Sequence, residues 1–176
     1  MILGMSTATF TLIHVLISLV GIASGLVVMY GFLAAKRLDR WTVLFLATTI
    51  ATSLTGFAFP NAHITPGIVI GILSLIVLAI ALVARYGLRM SGAWRRIYVV
   101  TASVALYFNV FVLIVQSFEK VPALKALAPT QKEPPFAIAQ LLVLALFIVL
   151  TAFAVKRFHP TTTVETSKPA FTKKAA

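Results

Sequence analysis

The chain has 176 residues, of which 60% are hydrophobic, 11% are charged and none is cysteine. This composition excludes an ordinary soluble domain, because several apolar stretches near twenty residues are typical of helical membrane proteins. The lack of cysteine excludes disulfides, thiolate nucleophiles and cysteine metal ligands. The net charge is +11, but the basic residues form short clusters between apolar stretches, which indicates membrane topology and excludes nucleic acid as the expected partner.

Five apolar segments predict an all-α membrane protein with five transmembrane helices in one bundle, residues 1–158. The predicted spans are residues 9–34, 41–58, 66–85, 97–117 and 136–155. Residues 118–135 form the one long loop, and Pro122 near its start predicts a single turn of helix. The polar, basic residues 159–176 predict a disordered tail.

Lysine and arginine are distributed unequally between the two sides of this bundle. The first connection, the third connection and the C-terminal segment from Lys156 onward carry twelve of them, against three in the long loop and none in the N-terminus or the second connection. The positive-inside rule therefore predicts that the N-terminus and the long loop lie outside and that the C-terminus is cytoplasmic.

The first span carries a stripe of non-apolar and small residues. His14, Ser18, Gly21 and Gly25 are spaced i, i+4, i+7 and i+11, which places them on one helical face. Such a face is expected to point toward protein, since glycines allow close helix packing and a lipid-facing histidine would lack a hydrogen-bond partner. Gly21 and Gly25 are the predicted packing positions.

The fourth span carries a matching stripe of small residues and amides, namely Tyr98, Ala102, Ala105, Asn109, Val112 and Gln116. Together with polar residues in the outer halves of the other spans, the two stripes predict an outward-opening polar interior. The candidate ligand-binding residues are His14, Ser18, Thr52, Thr55, Asn109, Gln116 and Gln140. The alternative interpretation is that these side chains only pack and hydrogen-bond between helices, contributing about 1 kcal/mol each.

The sequence predicts no catalytic residue. The four acids, Asp39, Glu119, Glu133 and Glu165, are all expected in loops or in the tail. No span then offers a carboxylate to relay protons or to bind a coupling cation. His14 and Ser18 are one turn apart, but nucleophilic catalysis also needs an orienting group and an oxyanion hole, and only Asn109 is available to orient.

A haem site would need a second axial ligand for His14. His63, in the second connection, is the one candidate, because His159 is expected on the opposite side. No other metal site is predicted. Haem and quinone are therefore the cofactors that the sequence leaves open.

The most distinctive stretches are TSLTGFAFP, GILSLIVLAIALVARY and GAWRRIYVVTASVALYFNVFVLIVQSFEKVPALKALAPTQKEPPF. In these stretches, and over roughly residues 10–158, the chain resembles small uncharacterised bacterial integral membrane proteins. The resemblance implies a location in the bacterial inner membrane. It implies no known activity and assigns no functional residue.

Two classes of function follow from these observations. The first is a non-catalytic protein, either an accessory subunit of a larger membrane complex or a binder of a lipophilic ligand, quinone or lipid, in its outer half. The second is a haem-bearing redox protein or a small transporter that uses His14. The expected partners are the lipid bilayer and a larger membrane complex or a second copy of the chain.

The predicted topology can be tested with reporter fusions. A reporter fused after Ala176 should report the cytoplasm, and one inserted between Ala126 and Lys132 should report the outside, because of the unequal distribution of basic residues. The opposite pair of signals would contradict the predicted orientation and the depth of every candidate residue.

Overall fold

The computed structural model describes residues 2, 4–59 and 66–159, and within them it is helical without a strand. The helices are α1 (Thr7–Leu33), α2 (Asp39–Gly56), α3 (Pro66–Leu82), which continues as a π-helical turn (Val83–Gly87), α4 (Trp94–Lys120), α5 (Pro122–Leu127) and α6 (Pro134–Arg157). This confirms the all-helical prediction. The predicted tail from residue 160 onward lies outside the described residues.

Four helical segments in the described residues are long and apolar enough to cross a membrane. They are Thr7–Leu33, Gly67–Gly87, Trp94–Lys120 and Pro134–Arg157. The second predicted span coincides with α2, which is not among these four. Its 18 residues begin with the charged pair Asp39 and Arg40 and contain several threonines, which lowers its mean hydropathy.

Four of the helices form a ring. α1 packs against α2 and α4, and α3 packs against the other side of both α2 and α4. α6 lies outside the ring and packs against α4 and α1. Successive helices run antiparallel, so α1, α3 and α6 begin at the end of the bundle where α2 and α4 finish. We call this the cavity end.

The opposite end of the bundle is called the basic end. Its cationic residues are Lys36, Arg37, Arg40, Arg85, Arg89, Arg95, Arg96, Lys156 and Arg157. Aromatic side chains fill the interior there, with the Phe32 ring edge-on to Tyr98 at 5.4 Å and to Phe158 at 4.9 Å between centroids. Arg95 donates a hydrogen bond to the Phe158 carbonyl, which holds the end of α6 against α4.

Arg85 is the buried cation of the basic end, with 6% of its surface exposed. Its guanidinium pairs with the Asp39 carboxylate and lies over the rings of Tyr86 and Tyr98, at 5.4 and 5.1 Å from their centroids. The pair ties the end of α3 to the start of α2. A buried guanidinium is tolerated because the carboxylate and the two π faces replace part of its hydration.

The prediction that every acid lies in a loop or in the tail was wrong for two residues. Asp39 is the first residue of α2, and Glu119 lies in the last turn of α4. Both helices are longer than their apolar segments. A charged residue can belong to the end of such a helix because its side chain extends to the polar surroundings there. A carboxylate in the first turn also interacts favourably with the helix dipole, as Asp39 does.

α1 approaches α2 and α4 closely at its two predicted packing glycines. A Cβ atom on Gly25 would lie 2.5 Å from Leu106 Cδ1 and 2.9 Å from the Phe45 ring. A Cβ atom on Gly21 would lie 3.2 Å from Thr48 Oγ1 and 3.6 Å from Asn109 Nδ2. Gly25 therefore has no space for a side chain, whereas Gly21 is tight but less restrictive.

Replacing Gly25 should destabilise the bundle. Gly25→Ala is expected to cost about 1–3 kcal/mol through overpacking against Leu106 and Phe45. Gly87→Ala is the matched control, because its Cβ would meet only Val83 Cγ1, at 3.8 Å. Thermal unfolding in detergent, followed by circular dichroism, should give a lower midpoint for Gly25→Ala alone. Equal midpoints for the two variants would contradict the close approach of α1.

Candidate ligand-binding cavity

A cavity of about 720 Å³ lies among α1, α2, α3 and α4 at the cavity end. Its size is within the range of small-molecule sites. Apolar residues such as Leu19, Ile22 and Phe108 form much of the wall. The polar and charged residues that line it are Thr7, Thr11, His14, Ser18, Thr52, Ser53, Ser74, Asn109, Gln116, Ser117, Glu119 and Lys120.

His14 and Ser18 enter the wall from one face of α1. The Ser18 hydroxyl donates to the His14 carbonyl oxygen at 2.7 Å, as serines within helices often do. The imidazole Nδ1 lies 2.8 Å from Thr55 Oγ1, and the ring is edge-on to Phe59 with centroids 5.2 Å apart. These contacts fix the orientation of the His14 ring between α1 and the end of α2.

The hydrogen bonds of Thr55 indicate the tautomer of His14. Thr55 has one hydroxyl proton, and the Ala51 carbonyl oxygen, 2.7 Å from Oγ1, accepts it. Thr55 Oγ1 then accepts from His14 Nδ1–H, and in a neutral imidazole Nε2 is left as a hydrogen-bond acceptor. Within the described part of the chain, Nε2 has no hydrogen-bond partner.

Asn109 stands at mid-height on α4, beside Gly21. Its Nδ2 donates to Thr49 Oγ1 on α2 at 3.1 Å, so the amide is anchored by one of its hydrogens. Gln116 lies two turns further along α4, is exposed, and lines the mouth of the cavity. Glu119 and Lys120 line the same mouth with opposite charges.

Two hydroxyl groups in the wall have unused hydrogen-bonding capacity. Ser74 on α3 is 3% exposed, and neither its Oγ nor Thr52 Oγ1 on α2 has a partner among the described residues. A buried hydroxyl without a partner costs about 1–3 kcal/mol. Native proteins therefore pair such groups with protein, water or ligand. The two hydroxyls can therefore bond to water or to the polar atoms of a ligand.

The structure brings most of the predicted site residues together. Five of the seven line this one cavity: His14, Ser18, Thr52, Asn109 and Gln116. Thr55 does not line it, but its hydroxyl is hydrogen-bonded to the His14 ring. Ser74 was missed, although it is the one hydroxyl residue in the third predicted span and that signal was available.

Gln140 does not line the cavity. It is buried on α6, and its Nε2 donates to the Phe111 carbonyl oxygen of α4 at 3.3 Å. This is an interhelical bond between α6 and the ring, because α6 lies outside the four helices that enclose the cavity. His63, the second haem-ligand candidate, lies outside the described residues. Among residues 4–59 and 66–159, no cluster of three His, Cys, Asp or Glu side chains is suited to a metal ion.

Comparison of the chain with protein-family models, curated proteins and solved structures found no match.

Removing the Ser74 hydroxyl should stabilise the unliganded protein. Ser74→Ala is expected to gain about 1 kcal/mol, because an unpaired buried hydroxyl is lost. Ser24→Ala is the matched control: Ser24 is equally buried, but its Oγ donates to the Val20 carbonyl oxygen at 2.7 Å. Thermal unfolding after delipidation should give Ser74→Ala the higher midpoint of the two. The reverse order would contradict the unpaired state of the Ser74 hydroxyl.

Proposed function

We propose that this chain is a bacterial inner-membrane protein that binds a lipophilic ligand with a hydrogen-bonding head group in the cavity. The observation that carries the proposal is the pair of buried, unpartnered hydroxyls of Ser74 and Thr52 in a largely apolar wall. No catalytic step is part of this proposal.

The wall is suited to an amphiphilic ligand. Its apolar part suits a ring or chain that enters from the bilayer, and its polar groups are few and converge, as in small-molecule sites generally. Ser74 and Thr52 offer hydroxyl donors, and His14 Nε2 offers an acceptor. A ligand that carries both a carbonyl and a hydroxyl group, or that alternates between them as quinone and quinol do, matches this set better than a hydrocarbon does.

The proposal includes a five-span topology, with the N-terminus outside and the C-terminus cytoplasmic. α2 supports the fifth span, because its 18 residues rise about 27 Å, close to the roughly 30 Å thickness of the hydrocarbon core. Its place in the ring between α1 and α3 also requires it to run alongside them. With the basic end in the cytoplasm, the cavity would open outward. The inner-membrane location is proposed from the sequence resemblance to small bacterial integral membrane proteins.

An accessory subunit of a larger membrane complex, or a homo-oligomer, is the companion proposal from the sequence. Purification of the protein in mild detergent tests it, because a subunit would co-purify with a stoichiometric partner. The redox and transport hypotheses require His14 to act together with a second haem ligand or proton-carrying group. In the described residues, the side chain that hydrogen-bonds to His14 is Thr55, which is neither.

Ligand binding should depend on the polar wall of the cavity. His14→Leu and Asn109→Leu are each expected to lower the amount of co-purified lipophilic ligand about tenfold. Each variant removes one hydrogen bond to the ligand, and a loss of about 1.4 kcal/mol of binding free energy corresponds to a tenfold loss of affinity. Organic extraction of the purified protein followed by mass spectrometry measures this amount, and titration with a short-chain quinone measures affinity.

Gln140→Leu is the matched control, because it also removes a polar side chain from a membrane helix but lies outside the cavity. It should retain the ligand. If His14→Leu and Asn109→Leu are folded and retain the same ligand content as Gln140→Leu, the proposed function is wrong.

A further inference from the structure

A second concave surface lies between α4 and α6, closer to the basic end. It has a volume of about 490 Å³ and shares no lining residue with the cavity among the four ring helices. We call it the α4–α6 groove. Its wall is formed mainly by the apolar residues Val100, Val104, Tyr107, Leu144, Phe147 and Ile148.

Small side chains on α6 create this groove. Thr151 and Ala152 line it opposite Ser103 and Val104 of α4, where larger residues would close the space between the helices. Val100 and Ile148 are exposed along the groove, so it faces the surroundings of the bundle instead of its interior. Both flanking helices have the length and hydropathy of membrane spans, which places lipid beside the groove.

Cations are concentrated where the groove reaches the basic end. Lys156 lines it and lies one turn after Ala152 on the same face of α6. Arg96 lies one turn before Val100 on the same face of α4. Both side chains are exposed. Arg157 adds a third exposed cation beside Lys156.

No described acid neutralises these cations. The ion pairs found in the described residues join Asp39 to Arg85 and to Arg37, so the one described carboxylate of the basic end is already engaged. Glu119 and Glu133 lie at the cavity end. The groove therefore combines a long apolar wall with a positive rim that has no counter-charge in the described part of the chain.

We propose that the α4–α6 groove binds an anionic phospholipid, with an acyl chain against Val104 and Ile148 and the phosphate at Lys156 and Arg96. Basic residues at the edge of a span attract anionic lipids, and long lysine and arginine side chains extend their charges toward the head groups. A zwitterionic lipid gains less from three cations, and a neutral partner helix gains nothing from them. The inference does not depend on the proposed cavity ligand.

The test uses the full chain in detergent, titrated with phosphatidylglycerol or with phosphatidylcholine of the same acyl chains, and read by native mass spectrometry. Phosphatidylglycerol is expected to bind about tenfold more tightly. Lys156→Gln and Arg96→Gln should each lower that preference about threefold, so that the two losses together account for it. Ala152→Phe, which fills the groove, should reduce binding of both lipids.

Matched controls distinguish an effect at the groove from the general effect of removing a positive charge or adding a large side chain. Lys132→Gln removes an exposed lysine at the cavity end, and Ala145→Phe enlarges an exposed α6 residue outside the groove. Both should bind phosphatidylglycerol like the unaltered chain.

Equal affinity for the two lipids, or unchanged preference in Lys156→Gln, would overturn the proposal. Detection of a dimer whose formation Ala152→Phe abolishes would also overturn it, because the occupant would then be a second copy. Lys156→Gln alters an exposed side chain, so it carries the test even if Ala152→Phe does not fold.

Discussion

The tight packing of α1 against α2 and α4 at Gly25 determines where the cavity ends. A Cβ atom there would overlap the side chains of Leu106 and Phe45, so α4 and α2 pack these two side chains directly against the α1 backbone. Ile22, less than one turn away, is the deepest α1 residue of the cavity wall. The cavity thus lies between this level and the helix ends. The same approach brings Gly21 beside Asn109, which places the anchored amide at the bottom of the cavity.

The two ends of the bundle differ because their interiors are filled differently. At the basic end, Phe32, Tyr98 and Phe158 pack edge to face, and Arg85 bonds to Asp39 across the ends of α3 and α2. Aromatic rings fill space there, and the buried guanidinium of Arg85 is paired with Asp39. Aromatic pairs also occur at the cavity end, Phe10 with Phe59 and Phe118 with Phe136. The helices that enclose the cavity, however, also carry small polar groups on its wall, which leave both volume and unused hydrogen bonds. The interior among the four ring helices is therefore open at the cavity end and filled at the basic end.

Helical periodicity was sufficient to predict which face of α1 and of α4 lines the cavity, because residues spaced by three and four share a face whatever the neighbours are. It could not predict the neighbours. Gln140 has the right depth, but α6 packs outside the ring, so its amide bonds to α4 instead of entering the cavity. Ser74 was missed because a single serine in an apolar helix usually bonds to its own backbone. The Arg85–Asp39 pair joins residues 46 positions apart, and only tertiary packing reveals it.

The cavity and the α4–α6 groove would select their ligands by different forces. In the cavity, the unpaired hydroxyls are buried, so a ligand that lacks hydrogen-bonding atoms leaves their full desolvation cost in place. In the groove, Lys156 and Arg96 are exposed, and their attraction for a phosphate is screened by salt over roughly 8 Å at physiological ionic strength. Ligand preference in the cavity should therefore be nearly independent of salt, whereas lipid preference in the groove should weaken as salt increases. The difference follows from charge and burial together, because the hydroxyls of the cavity are neutral and buried whereas the cations of the groove are charged and exposed.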